Sequence, residues 1–201
     1  NNGLLGSTLA ALFIAMGLGG WWLDREAWQK QGWILRQAGR SPTDFVDQAG
    51  MGPSLLNMGL TGALGTAYVL AVGSDLNGPT LGAIFTIVGF SAFGKHPRNI
   101  VPIMLGVFIA SMLKDWSADD PSAVLAALFG TTLAPIAGRF GWRWGIVAGF
   151  VHSSVAQTVG QLHGGLVLYN NGFAAGLVAA ILVPVIIALQ PAAKTDSSTP
   201  Q

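Results

Sequence analysis

The stretch LLGSTLAALFIAMGLGGWWL, Leu4–Leu23, runs for twenty residues without a charged side chain. As a helix rising 1.5 Å per residue it is about 30 Å long, the thickness of a bilayer's hydrocarbon core. Six more apolar runs follow at Leu55–Val72, Pro79–Gly94, Ile100–Leu113, Ala123–Ala137, Gly145–Leu162 and Phe173–Leu189, and none of the seven contains Lys or Arg. This spacing predicts an all-α, polytopic transmembrane bundle of about seven apolar segments. One transmembrane domain covers 1–190, and the polar residues 191–201 are expected to form a disordered tail. Pro79–Gly94, Ile100–Leu113 and Ala123–Ala137 are short for a crossing. They suit tilted short helices, or re-entrant half-helices whose backbone is satisfied by protein or a wet cavity.

Composition points the same way. Of 201 residues 51% are hydrophobic and 9% charged, which describes a chain that lipid suits better than water. Ten Lys and Arg nearly cancel nine Asp and Glu, with no basic block, so a nucleic-acid partner is excluded. With no Cys there are no disulfides, thiolate nucleophiles or Cys-held metals, and no cofactor is expected. The lipid bilayer is the first partner.

Alternating the loops across seven spans tests the model independently. One side collects Arg25, Lys30, Arg36, Arg40, Lys95, Arg98, Arg139, Arg143 and Lys194; the other holds only Lys114, beside Asp115, Asp119 and Asp120. By the positive-inside rule the rich side is cytoplasmic, with the C-terminus on it, as in a bacterial inner membrane protein. The 24–50 connector begins at Trp21 and Trp22 and carries Trp28 and Trp33, a pattern that suits the headgroup level. A helix over Arg25–Ala38 puts Trp28, Ile34 and Leu35 roughly on one side, and Ser41-Pro42 ends it. Residue 1 is Asn rather than Met and falls at the start of an apolar run, so further chain is expected upstream.

An Asn-x-Gly group opens several segments and suggests internal repeats: Asn1-Asn2-Gly3, Asn57-Met58-Gly59 and Asn170-Asn171-Gly172, with Asn77-Gly78 as a looser copy. Asn caps helices and Gly admits close approach, so Asn57, Asn77 and Asn171 are candidates to face a small polar solute. The plainer alternative is surface turns and helix contacts. Gly145–Leu162 has a polar face, because Ser153, Gln157 and Gln161 recur every four residues. Amides in hydrocarbon need partners, so this face meets another helix or lines a solute path.

His96, His152 and His163 form no metal motif, and no metal is expected. His96 lies among cations in Lys95-His96-Pro97-Arg98, where an anion contact competes with a loop-anchoring role, and His152 and His163 are candidates for proton relay or for structural hydrogen bonds. Neither a nucleophile elbow nor a phosphate-cradling loop is present, so enzyme chemistry is not expected.

Four runs carry a family resemblance: Asp75-Leu76-Asn77-Gly78-Pro79-Thr80, Gly89 to Asn99, Leu128 to Pro135, and His163-Gly164-Gly165 through Asn170-Asn171-Gly172-Phe173. Together they resemble the bacterial membrane family called domain of unknown function 1576 over most of 51–189, and that resemblance implies no activity. A looser likeness links Asn57-Met58-Gly59-Leu60-Thr61-Gly62 to the repeats of urea transporters, with the proline position replaced, and implies re-entrant architecture. The sequence thus favours a transporter or channel for a small polar solute. Its alternative is a non-catalytic subunit of a larger membrane complex, and in either case a homo-oligomer or other membrane subunits are the expected protein partners.

Overall fold

The computed structural model describes residues 2–159 and 167–190, and these form ten α-helices with no strand among them. Four helical runs are long and apolar enough to cross a membrane. They are α1 (Asn2–Leu23), α4 (Met51–Ala71), the run Pro121–Phe140, and Asn170–Leu189 within α10 (Val167–Leu189). Between them lie α2 (Ala27–Ile34), α3 (Phe45–Ala49), α5 (Gly78–Phe90), α6 (Pro97–Leu113) and α9 (Trp142–Val159). Each of the seven predicted apolar segments therefore overlaps a helix, Pro79–Gly94 as far as Phe90 and Gly145–Leu162 as far as Val159, the last described residue there. Ala123–Ala137 is no half-helix, because α7 (Pro121–Gly130) passes through a short 3-10 turn, Thr131–Leu133, straight into α8 (Ala134–Phe140).

Burial ranks these elements. The 121–140 run is 67% buried, whereas the windows in α1 and α10 are 17% and 22% buried, so α7–α8 is the axis and α1 and α10 are peripheral. Around α7, Val124 and Leu128 pack with Val69 of α4, Ile84 and Ile87 of α5, and Ile100 and Met104 of α6. A second cluster joins Ile103, Leu133, Ile136 and Ala148 to Val178 and Ile186 of α10. Lipid cannot drive two apolar helices together, so their contacts depend on close backbone approach at small residues. On α1 and α4 a side chain at Gly59 would lie 2.7 Å from the Phe13 carbonyl, and on α6 and α9 one at Gly149 would collide with the Ile103 carbonyl.

The 24–50 connector departs from its expected form. Its helix is shorter, and the buried face is Ala27, Gln31 and Ile34, while Trp28 and Trp33 stay exposed. Trp28 therefore does not share a face with Ile34. The correction follows from Gln31, whose amide has a buried partner on α4 and so turns that side of α2 inward. An Asp24–Lys30 ion pair of 2.7 Å holds the entry to α2. The chain then folds against the α5–α6 turn: Phe45 N–H donates to the Ala92 carbonyl at 2.8 Å, and Gly39, at φ 69°, meets the backbone of Gly94. Asp44 caps α3 by accepting from the Val46 and Asp47 N–H groups, a short helix that hydropathy alone does not reveal.

Candidate functional site

The break between α7 and α8 has a local cause. Pro135 carries no N–H to return to the carbonyl four residues earlier, that of Thr131, so the α-helical ladder cannot continue through this point. Two buried titratable side chains converge on the adjacent residues of this break. Lys95 Nζ, from the α5–α6 turn, donates to Thr131 Oγ1 at 2.8 Å, and that hydroxyl donates to the Leu128 carbonyl at 2.6 Å. From the other side the His152 ring of α9 lies against Gly130, where a Cβ would stand 2.7 Å from Cδ2.

His152 is fully buried and Nε2 lies 3.2 Å from Asn171 Oδ1 of α10. With that oxygen accepting, Nε2 carries the proton, and the Ala126 carbonyl also lies beside the ring. No hydrogen-bond partner meets His152 Nδ1, nor Ser153 Oγ beside it, nor Asn170 Oδ1 across on α10. Three buried polar atoms thus stand unsatisfied on α9 and α10, two of them on adjacent residues of α9. Each is expected to cost roughly 1–3 kcal/mol while it stays so. Further along α9, Gln157 Nε2 donates to Ser122 Oγ at 2.9 Å and Ser154 accepts from Lys114.

On the opposite side of the break Asn57 has all its amide groups bonded. Asn57 Nδ2 donates to the Ser91 and Lys95 carbonyls, both at 2.8 Å, and its Oδ1 accepts from Gln31 Nε2 at 2.9 Å. Thr61 Oγ1 donates to Ser91 Oγ at 2.7 Å. Asn57 thereby ties α2, α4 and the α5–α6 turn together. Burial pushes the Lys95 ammonium down to about 8, and burial, reinforced by Arg98, lowers His96. His96 itself donates from Nε2 toward the Gln37 carbonyl at 2.9 Å, securing the connector.

The sequence candidates are therefore distributed unevenly. Asn171 meets His152, and Ser153 follows it in the chain; Gln157 lies further along α9; Asn57 and His96 lie across the break; Gln161 and His163 lie outside the described residues. Asn77 is the N-cap of α5 and forms a capping box with Thr80, while Asn57 sits inside α4 rather than at its start. Sequence reasoning missed Lys95, Thr131 and Asn170. The available signal was Pro135 within an apolar run, which marks a helix break and so directs attention to whatever lies beside it. Among the described residues no group of three His, Cys, Asp or Glu is placed to hold a metal ion.

Comparison with protein-family models matches residues 23–188 to the family described as "Protein of unknown function (DUF1576)". No curated protein and no solved structure matches the chain.

Proposed function

We propose, for a chain that belongs to the DUF1576 family, a role as a membrane transporter or channel for a small polar solute, its recognition site lying between α9 and α10 beside the α7–α8 break. The observation that carries this is the set of three buried, unpartnered atoms: His152 Nδ1, Ser153 Oγ and Asn170 Oδ1. Asn170 Oδ1 accepts and Ser153 Oγ both donates and accepts, so an uncharged solute with N–H or O–H groups satisfies them where the fold does not. A helix break beside such a group is the usual way a membrane protein makes room for polar cargo. Under this reading all seven apolar helical stretches cross the bilayer and the arginine-rich end faces the cytoplasm. Asn171 and Gln157 continue the path, and His152 is its proton-bearing member.

A second reading is favoured by the outer face of α10. Phe173, Leu177, Ile181 and Val185 recur every four residues and are exposed, which suits burial against another subunit as well as against lipid. One experiment separates the two. The chain has no native Cys, so Ser153→Cys can be probed in sealed vesicles with a small water-soluble thiol reagent. Transport predicts modification at 153, slowed by the solute and accompanied by solute uptake into vesicles containing the unmodified protein. Complete protection at 153, with exposed position 36 reacting normally, leaves the path without water and supports the subunit.

A further inference from the structure

A separate cavity lies at the arginine-rich end, away from the polar atoms of α9 and α10. It has a volume of about 190 Å³ and is walled by the connector at Leu35–Gln37, the start of α6 at His96, Arg98 and Asn99, and the α8–α9 junction at Gly138, Gly141 and Trp142. Its charge is one-sided, since Arg36 and Arg98 both line it and no carboxylate does. Among the described residues the ion pairs are those of Lys30 with Asp24 and Glu26, so neither guanidinium is neutralised. Both guanidiniums are exposed and uncompensated, so the mouth of the cavity carries a positive potential.

Further features bear on the same site. Cavity-lining His96 is 1% exposed, and with Nε2 donating to the Gln37 carbonyl its Nδ1 is an acceptor, which can meet a protonated oxygen of a phosphate but cannot donate to a bare one. Helix α6 starts at Pro97, so the positive end of a 17-residue helix adjoins the cavity. Packing holds the walls in place: Gly138 lies against the Ala38 backbone, and Asn99 Nδ2 donates to the Gly94 carbonyl at 2.9 Å. The connector and the helix start are thus fixed relative to each other without any ligand.

We propose that this cavity binds a phosphate-type oxyanion, held by the Arg36 and Arg98 guanidiniums beside the N-terminus of α6. Planar guanidinium forks match the geometry of phosphate oxygens and hold them bidentately. Two sources offer this chemistry, a phospholipid headgroup at the membrane surface and a free phosphate in the aqueous phase.

The test uses the full chain purified in neutral detergent and titrated calorimetrically with inorganic phosphate at fixed ionic strength. In parallel, the protein is reconstituted in nanodiscs of phosphatidylcholine with or without phosphatidylglycerol, and retained lipid is counted by native mass spectrometry. Arg36→Gln and Arg98→Gln alter exposed side chains without hydrogen-bond partners in the fold, so the folded state is expected to persist. Each is expected to weaken binding about tenfold. Arg139→Gln removes a neighbouring charge that lines a different cavity and leaves binding unchanged. Phosphate binding alone identifies the soluble source, and phosphatidylglycerol retention alone identifies the lipid. Failure of both probes, or equal weakening by Arg139→Gln, overturns the site.

Discussion

At the scale of single residues, Asn57 and Lys95 show how buried polar groups in this protein divide between holding the fold and straining it. Asn57 satisfies two carbonyls and a glutamine amide that nothing else reaches. Asn57→Ala is expected to destabilise the protein by about 3 kcal/mol, read as a shift in unfolding by a denaturing detergent, because each partner is left buried and unbonded. Asn57→Asp does not rescue it, since a carboxylate faces the Ser91 and Lys95 carbonyls with no hydrogen to donate. Lys95 acts in the opposite sense. Its folded-state pKa is about 8 and its unfolded value 10.5, so between those pH values the unfolded chain binds the extra proton. Stability therefore rises with pH across this window, by on the order of 3 kcal/mol, and is flat with respect to Lys95 on either side. The difference between wild type and Lys95→Met, measured from pH 7 to pH 11, isolates that rise. A slope identical in the two proteins refutes it.

At the scale of elements, helix pairing is governed by where a carbonyl of one helix approaches a glycine of the other. Gly149→Ala places a methyl group into the Ile103 carbonyl of α6 and is expected to cost at least 1–3 kcal/mol. Gly172→Ala, in α10, meets nothing within 4 Å and is expected to be neutral or to gain up to about 1 kcal/mol of helix propensity. Both are read by thermal unfolding in the same detergent, and two substitutions of the same sign count against the packing account. Chemically identical glycines differ here only in what faces them, which is why spacing alone does not rank them. The apolar segments are legible in the sequence because hydropathy over twenty residues sums a bulk property. The buried face of α2 is not, since it depends on one hydrogen bond between Gln31 and a residue 26 positions away. The candidate site divides in the same way: the Ser153 face is visible as a four-residue period, whereas Lys95 reads as a turn lysine until Thr131 is found opposite it.

At the scale of the whole molecule, two tightly crossed pairs, α1 with α4 and α6 with α9, flank the α7–α8 axis, with α5 and α10 closing the sides. The positive charges counted by loop alternation include Arg36, Arg40, Arg98 and Arg139, which line two cavities at one end. Sequence arithmetic brings these residues to one side of the membrane, but only folding brings the connector up against α6 and α8 so that pairs of them share a cavity. That contact also imposes an order on biogenesis. Ala38 rests on Gly138, a residue made one hundred positions later, and Gln37 bonds His96, 59 positions on. At roughly 5–20 residues per second, translation leaves the connector waiting about 5–20 s for Gly138 to be made. Until then the nascent chain presents an unfilled polar strap to the insertion machinery. An arrest at codon 120 is therefore expected to leave residues 35–44 open to protease, and an arrest that exposes residue 142 to close them.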